Sequence, residues 1–232
     1  MQNMNNPSNS MDNKLIITND GSHSIFNTRI NESYHSKHGA IVEAEHVFIR
    51  NGFSAVRKNK LNILEIGFGT GLNALLTYQK AIQRSIETNY HAIELYPVDR
   101  RYYMELNFAN LIGLEQETLL RLHNANWEEK INISSYFTLT KNHTSLEGYN
   151  TDLKFDIIYF DAFSPEKQPE LWGENIFRKM NALLKDDGFL VTYCAKGIVK
   201  RTMKSVGFQI IVLDGPPGKR QMTRANKSVI EK

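Results

Sequence analysis

Three glycines stand close together after an apolar run, in the stretch ILEIGFGTGLN at residues 63–73. Gly67, Gly69 and Gly71 leave the backbone open, so a ligand can approach the main chain where a first strand turns into its helix. Dinucleotide-binding loops follow the order G-x-G-x-x-G, and Leu72 breaks that order. The sequence also lacks the G-x-x-x-x-G-K-S/T pattern of a P-loop. The loop therefore predicts neither of these two nucleotide-binding classes.

The remaining spacing, G-x-G-x-G, resembles the S-adenosylmethionine loop of Rossmann-like methyltransferases. That ligand carries no pyrophosphate, so the loop need only surround its amino-acid tail and ribose. Phe68 lies within the loop, and Thr70 and Asn73 place side-chain hydrogen-bonding groups beside the same pocket. We expect these three residues and the three glycines to bind the cofactor.

An acidic residue, Glu94, closes the next apolar run, YHAIEL, about 20 residues beyond the glycines. At the end of a second strand its carboxylate can accept hydrogen bonds from ribose hydroxyls. The alternative is a solvated charge at a strand end. Because the glycine loop precedes it, we interpret Glu94 as a cofactor-binding residue.

The stretch HNANWEE at residues 123–129 supplies candidates for the adenine ring. In methyltransferases of this architecture, a polar residue after the third strand commonly meets the adenine amino group. We expect Asn126 to accept from that amine and Trp127 to cover the ring. The alternative is that Trp127 belongs to the core and Asn126 forms a turn.

Asp161 ends a strongly apolar run in the stretch FDIIYFDAFSPEKQPELW. In open parallel sheets chemistry collects just outside the carboxyl ends of the strands, so Asp161 is the candidate catalytic residue. Phe163 follows it and could stack on a base or line the pocket. Asp156, at the start of the same run, would lie at the opposite edge and is predicted to be structural. The alternative for Asp161 is a helix cap or a buried structural acid.

The elements that would position these residues alternate along the chain. Short apolar strands alternate with helical patterns from Leu61 onward, which predicts an α/β, Rossmann-like methyltransferase fold with a mostly parallel central sheet and helices on both faces. We expect a small N-terminal extension at residues 1–55 packed on a methyltransferase domain at residues 56–232. A helix is predicted over residues 99–111. Residues 114–150 are long, polar and hardest to assign.

Composition agrees with one globular unit. The 232 residues are 41% hydrophobic and 23% charged, with a formal net charge of +3. No apolar run approaches the roughly 20 residues of a membrane span, and the polar, Asn-rich start lacks the order of a signal peptide and predicts a frayed tail. The single cysteine, Cys194, excludes a disulfide framework and a cysteine-based metal site within one chain. These features predict a cytoplasmic protein without membrane contact.

Four motifs together resemble one family. They are LEIGFGTGLNALLT, FDIIYFDAFSPEKQPELW, TYCAKGIVKRTMKSVGF and PGKRQMTRA, and the N-terminal NESYHSKHGAIVEAEHVFI fits the same family. The family is the MnmC-type methyltransferase, which completes the 5-methylaminomethyl group of the tRNA wobble uridine. The glycine loop alone is weak support, whereas DAFSP followed by PGKR is more specific.

The resemblance implies an S-adenosylmethionine-dependent enzyme that methylates the primary amine of 5-aminomethyl-2-thiouridine. Family members with two parts continue into a flavin-dependent oxidase, and no second glycine fingerprint follows here. We therefore expect methyl transfer alone, with neither flavin nor metal, in the manner of a standalone enzyme. A separate FAD-dependent oxidase or another upstream wobble-uridine enzyme would be its partner.

The mechanism requires a neutral amine held in line with the methyl group and sulfur. Asp161 is expected to accept from the amine and orient it, with orientation favoured over full proton transfer because a carboxylate is a weak base. Further substrate-binding candidates are Tyr34, His35 and Glu43 from the N-terminal motif, and Lys196, which could counter substrate charge. For His35 the alternative is a satisfied loop histidine.

A basic segment suggests the macromolecular substrate. Eight Lys or Arg residues lie between Cys194 and Lys227, and Asp214 is the only acid among them. Such a cluster can meet the phosphates of a tRNA anticodon stem-loop, and Lys219, Arg220 and Arg224 are the leading candidates. The wobble base would then leave the anticodon stack to enter the pocket. A solvated helix face with a basic tail is the alternative.

Two other functions use parts of the same pattern. A methyl- or aminopropyltransferase for a free small amine would share the glycine loop, Glu94 and Asp161 without needing the basic segment. A non-catalytic RNA-binding module could retain the fold, but the intact GFGTGLN argues against it.

Overall fold

The computed structural model describes residues 13–228. Apolar runs bounded by glycine or polar residues form its strands, as their alternation predicts. The strands are β1 (Asn13–Ile17), β2 (His23–Asn27), β3 (Glu32–Ser33), β4 (Lys60–Ile66), β5 (Glu87–Ile93), β6 (Lys130–Ser134), β7 (Phe137–Asn142), β8 (Phe155–Phe160), β9 (Leu184–Thr192), β10 (Phe208–Asp214) and β11 (Gln221–Lys227).

The helices connect these strands across both faces of the main sheet. They are α1 (Ala40–Ala44), which continues as a π-helical segment at Glu45–Arg50, α2 (Leu72–Arg84), α3 (Arg100–Tyr103), α4 (Phe108–Leu111), α5 (Gln116–Asn124), α6 (Glu174–Leu183) and α7 (Gly197–Ser205). Short 3₁₀ turns occupy Phe53–Ala55 and Pro169–Trp172.

The main sheet has eight strands in the order β10-β11-β9-β8-β4-β5-β7-β6. Strands β7, β5, β4, β8 and β9 are parallel to one another, and β6, β10 and β11 add antiparallel pairs at the two edges. The chain leaves β4 toward β5 on one side and returns to β8 on the other. The switch point between β4 and β8 is where such sheets bind ligands.

The central strands are buried on both faces. All six residues of β8 are buried, as expected for a strand covered on both sides. One hydrophobic core includes Phe48, Leu75 and Tyr159, and the core on the other face includes Trp172 and Phe177. These features confirm the predicted α/β fold.

The N-terminal region packs directly on this framework. Strands β1, β2 and β3 form a separate antiparallel sheet, and Ile25 of β2 shares the core of Phe48 and Leu75. The expected division into residues 1–55 and 56–232 stays a proposal, because α1 and its π-helical extension contribute to the same core as the main sheet.

Two local expectations differ from the structure. The helix predicted over residues 99–111 is two short helices, α3 and α4, with Asp99 capping the first by accepting from the Arg101 amide. The chain turns before Asn107, whose side chain accepts from the His23 amide and donates to the Gly21 carbonyl. The polar stretch 114–150 contains α5, β6 and the third parallel strand, β7.

Within residues 13–228, no helix has the length and apolar character needed to cross a membrane. The expectation of a frayed N-terminal tail falls mainly on residues 1–12, outside the described part.

Candidate active site

A deep cavity lies at the carboxyl edge of the sheet, at the switch point between β4 and β8. Its volume is about 710 Å³, and the glycine loop, the ends of β5 and β8 and the N-terminal sheet all contribute to its wall. A pocket of this size at this position is the expected binding site of an open α/β sheet.

The glycine loop adopts a backbone that other residues rarely share. The φ angles of Gly67, Gly69 and Gly71 are 88°, 48° and 73°. A Cβ atom on Gly67 would lie 3.0 Å from the Asp161 carbonyl oxygen, and one on Gly69 would lie 3.2 Å from the Tyr34 ring. Glycine is therefore needed both for conformation and for close approach.

Glu94 lies at the cavity wall and is bound to the glycine loop. Its carboxylate accepts from the Gly69 amide at 2.9 Å and from the Tyr96 amide at 2.8 Å. Burial raises the pKa of Glu94, and the two amides act against that rise. The predicted cofactor acid and the predicted loop are thus brought together.

Asp161 faces the same cavity from the end of β8. Its Oδ2 accepts from the Asn73 side-chain amide at 2.8 Å. Burial raises the pKa of Asp161 to about 7, the Asn73 bond lowers it, Glu43 raises it and Lys219 lowers it. The carboxyl group therefore titrates near neutrality.

Residues 32–36, which we call the N-terminal clasp, bridge the two sides of the cavity. Glu32 accepts from the Ser164 hydroxyl at 2.9 Å, on the loop after β8. The Tyr34 ring meets the Phe163 ring edge-on with centroids 5.0 Å apart, and it also contacts Gly69. Sequence reasoning identified Tyr34 and Phe163 but did not predict their contact.

His35 is a connecting residue in the same clasp. Its ring nitrogens face the Ser24 hydroxyl at 3.0 Å and the Thr70 hydroxyl at 3.1 Å. Burial lowers the pKa of His35 to about 4, although Glu43 and Asp20 act to raise it, so the ring is neutral at pH 7. The geometry agrees with the alternative of a hydrogen-bonded histidine that links the clasp to the glycine loop.

Glu43 and Lys219 form an ion pair at the cavity wall. Glu43 also accepts from the Ser36 amide at 2.9 Å, and the Lys219 ammonium lies 3.9 Å from the centroid of the Tyr193 ring. The Tyr193 hydroxyl donates to the Ala162 carbonyl at 2.9 Å. These contacts place both predicted substrate residues near Asp161.

The other predicted basic residues have different surroundings. Lys196 pairs with Glu166 outside the cavity wall. Arg224 lies in β11 with its guanidinium 3.9 Å from the Phe189 ring centroid, and it donates to the Asn226 side chain at 3.0 Å. Arg220 is exposed. The three leading candidates for phosphate contact therefore lie in different surroundings. They are Lys219, Arg220 and Arg224.

The prediction that Asn126 and Trp127 follow the third strand is wrong. That strand is β7, so residues 123–129 precede it, and neither Asn126 nor Trp127 lines the cavity. Asn126 donates to Glu129 at 3.0 Å. The segment that does follow β7 lines the cavity at residues 144–147. The error arose because the polar stretch concealed β7.

Trp127 belongs to a second layer behind the glycine loop. The wholly buried Lys141 places its ammonium 4.5 Å from the Trp127 ring centroid and 5.3 Å from the Phe68 centroid, and it donates to the His123 carbonyl. Burial lowers the pKa of Lys141 to about 8. His123 in turn donates from Nε2 to the Thr70 carbonyl at 2.9 Å. No pattern in the sequence indicated this support.

Asp156 lies at the opposite end of β8, as predicted for a structural residue. It accepts from the Asn62 amide at 2.8 Å and from Lys58 and Lys185 at 2.8 and 2.7 Å. Burial acts to raise the pKa of Asp156, but the Asn62 amide and the two ammonium groups lower it overall.

Acidic side chains predominate in the cavity wall. Seven acids and three bases line it, which favours a cationic ligand over an anionic one. The acids are Glu32, Glu43, Glu94, Asp99, Glu147, Asp161 and Glu170, and the bases are Arg29, Lys167 and Lys219. No cluster of three metal-ligating side chains occurs between residues 13 and 228.

Comparisons with known proteins agree with this geometry. A family model described as S-adenosyl-L-methionine-dependent methyltransferase matches residues 116–228. The tRNA 5-methylaminomethyl-2-thiouridine biosynthesis bifunctional protein MnmC of Cupriavidus metallidurans is 31% identical over 229 residues, covering 90% of this chain and 33% of that protein. MnmC of Marinomonas sp. is 28% identical, covering 84% of this chain and 31% of the relative. The chain spans about a third of the length of these curated relatives.

Solved structures show the same fold. MNMC2 from Aquifex aeolicus has a TM-score of 0.73 at 22% identity, covering 97% of this chain and 75% of that one. Spermidine synthase from Thermotoga maritima has a TM-score of 0.54 at 14% identity, covering 94% of this chain and 74% of that one. The predicted resemblance and the Rossmann-like methyltransferase fold are confirmed.

Proposed function

We propose, from the premise that this chain is an S-adenosylmethionine-dependent methyltransferase resembling MnmC, that it methylates 5-aminomethyl-2-thiouridine at the tRNA wobble position. The product would be 5-methylaminomethyl-2-thiouridine, the nucleoside in the relatives' name. The observation that carries the proposal is Asp161, which faces an acid-lined cavity beside the glycine loop.

The cavity residues fit S-adenosylmethionine. The glycines keep free the space that side chains would fill, and Glu94 offers carboxylate oxygens suited to ribose hydroxyls. We assign the adenine end to the wall at residues 144–147, in place of Asn126 and Trp127. When bound, the cofactor supplies a methyl group already activated by a sulfonium, and the acidic wall complements that positive charge.

The acceptor chemistry depends on removing a proton from the amine. A primary alkylammonium has a pKa of about 10, so the neutral nucleophile is scarce at pH 7. Transfer of its proton to an ordinary aspartate is unfavourable by about six pKa units, which is a free-energy cost of about 8 kcal/mol. Transfer to Asp161, with its pKa near 7, crosses about three units, or about 4 kcal/mol.

Asp161 would therefore accept the ammonium proton as well as orient the nitrogen. This extends the expectation from sequence, in which orientation was favoured because an ordinary carboxylate is a weak base. The nitrogen must also lie in line with the methyl carbon and sulfur. Tyr34, Phe163 and Lys219 line the same cavity and are proposed to hold the uridine beside Asp161.

The tRNA would approach over the open side of this cavity, with the wobble base turned out of the anticodon stack. Arg220 is exposed next to the cavity residue Lys219 and is the leading phosphate contact. A cytoplasmic location follows from a tRNA substrate. A separate FAD-dependent oxidase or another upstream enzyme remains a proposed partner that would prepare the aminomethyl group.

The direct test is incubation with labelled S-adenosylmethionine and tRNA from cells that lack the terminal methyl group. Nucleoside analysis should show label in 5-methylaminomethyl-2-thiouridine. Fully modified tRNA serves as the matched control and should gain none. Label transferred to free amines but not to tRNA would support the small-molecule alternative and reject the proposal.

A further inference from the structure

Glu65 is a buried acid that none of the roles above uses. It lies on β4 two residues before Gly67, is 0% exposed, and does not line the cavity. Its Oε1 accepts from the Asn73 side-chain amide at 3.0 Å, and the buried Tyr90 hydroxyl lies beside the same carboxyl group and acts to lower its pKa. Salt bridges within residues 13–228 do not include it. A fully buried carboxyl group with no cation beside it calls for an explanation.

Asn73 joins this acid to the proposed catalytic one. Its amide nitrogen carries two hydrogens, and these point to Glu65 Oε1 and to Asp161 Oδ2 at 3.0 and 2.8 Å. Turning the amide over would set its oxygen against the ionised Asp161 carboxylate, so that contact fixes its orientation. Asp161 and Asn73 line the cavity, whereas Glu65 lies behind them.

Both acids have raised pKa values, and burial is the main cause for each. Burial and the nearby Asp161 raise the pKa of Glu65 well above its usual range, which favours its neutral form. A neutral Glu65 still offers an acceptor to Asn73 without adding a second negative charge. Glu43 and Lys219 act on the pKa of Asp161 from other elements, and Asp161 in turn raises the pKa of Tyr193 and of Tyr90.

We propose that Glu65 is a positioning residue for methyl transfer, acting through Asn73 on Asp161. Glu65 fixes the Asn73 amide, and that amide fixes the carboxylate that meets the acceptor amine. The inference rests on the proposed function for the role of Asp161. It also changes the role of Asn73, which the sequence assigned to the cofactor, to support of the catalytic carboxyl group.

Two substitutions separate this role from a merely structural one. Glu65→Gln keeps an oxygen that accepts from Asn73 and resembles the protonated acid, so kcat should stay within about twofold of wild type. Glu65→Met keeps bulk but removes the acceptor, so kcat should fall about tenfold. The KM for S-adenosylmethionine should change less than twofold in both. Glu87→Gln, at an exposed acid on β5, is the matched control.

The experiment combines kcat against pH with a ¹³C-carboxyl NMR titration of Asp161 in the free protein, assigned with Asp161→Asn. Since the Asn73 bond lowers the pKa of Asp161, its loss in Glu65→Met should move both midpoints above about 7. Both midpoints should stay unchanged in Glu65→Gln. Asn73→Ser removes the amide with its two hydrogens and should reproduce the upward shift. This variant replaces Glu65→Met in the titration if Glu65→Met does not fold.

Wild-type kcat and midpoints in Glu65→Met, or an unshifted titration in Asn73→Ser, would overturn the inference. Equal impairment of Glu65→Gln and Glu65→Met would also overturn it, because an ionised Glu65 would then be the active form. If the wild-type protein methylates no tRNA, the proposed function fails, whereas the NMR titration still tests the link from Glu65 to Asp161.

Discussion

Replacing Asp161 with asparagine should separate catalysis from stability. Asparagine keeps the shape and can still accept from the Asn73 amide, which now lies 2.8 Å from the carboxylate. It cannot accept a proton, and its hydrogen bond to an amine is about half as strong as a charge-assisted one. General-base catalysis contributes about 10² to 10⁴ in rate, and some positioning survives, so turnover should fall about tenfold to a thousandfold.

The raised pKa of Asp161 also predicts the direction in which turnover and stability change with pH. The deprotonated form of Asp161 is the proposed active form, so wild-type kcat should rise with pH through about 7, and Asp161→Asn should lack that rise. Because the folded pKa is raised above the unfolded value of about 4, ionisation of Asp161 destabilises the folded state as pH rises from about 4 to 7. Asp161→Asn should therefore melt at an equal or higher temperature than wild type at pH 8.

The assay is single-turnover methylation of undermethylated tRNA, beside calorimetric titration of S-adenosylmethionine and thermal melts for both proteins. Cofactor affinity should change little. Turnover near the wild-type value in Asp161→Asn would refute the catalytic role. A lower melting temperature together with equal losses of cofactor binding and turnover would instead identify Asp161 as a structural or cofactor residue.

Four further outcomes follow from particular contacts. Gly69→Val should weaken S-adenosylmethionine binding at least tenfold by calorimetry, because a Cβ there crowds a neighbouring ring and the φ of 48° disfavours valine. Arg220→Ala should lower tRNA affinity and the salt slope of binding, whereas the sheet-bound Arg224→Ala should chiefly lower the melting temperature. Asp156→Ala should lower the free energy of unfolding by about 3 kcal/mol at pH 7, and because its folded pKa is lowered, this difference should shrink as pH falls below about 4 in urea titrations. Lys141→Met should weaken cofactor binding about threefold to tenfold while sparing kcat at saturating cofactor.

Each of these outcomes has a result that contradicts it. Unchanged cofactor affinity in Gly69→Val would place the cofactor elsewhere, and an unchanged salt slope in Arg220→Ala would move the tRNA surface. Equal melting of Asp156→Ala and wild type would mean that its lysine partners are not stabilising. A reduced kcat with normal cofactor affinity in Lys141→Met would reject its role beneath the glycine loop.

The local pattern of the sequence predicted the centre of the site. A run of apolar residues that ends in glycine or in Asp161 predicts a strand and the position of its carboxyl end. Parallel strands bring their carboxyl ends to one edge of the sheet. For this reason Gly67, Glu94 and Asp161 could be assigned to one cavity before the structure was known. Asp156 could be assigned to the opposite edge by the same alternation.

The adenine end could not be placed in that way. Strand β7 carries polar residues at alternate positions and lies in a long polar stretch, so its short pattern did not stand out. The cavity wall is lined by residues 144–147, and Asn126 and Trp127 lie outside it. Likewise, equal positive charges in the sequence did not reveal that Arg224 lies against a ring and Arg220 is exposed.

The sequence by itself determined the glycine loop, the acids at strand ends and most of the alternation of strands and helices, because these depend on neighbours along the chain. Only the tertiary structure decided that Tyr34 lies beside Gly69, that Asn73 joins Glu65 to Asp161, and that burial raises the pKa of Glu65. Those properties arise from burial and from contacts between residues far apart in sequence. Burial withdraws water from a charge and distant residues supply its partners, and no local pattern of residues encodes either effect.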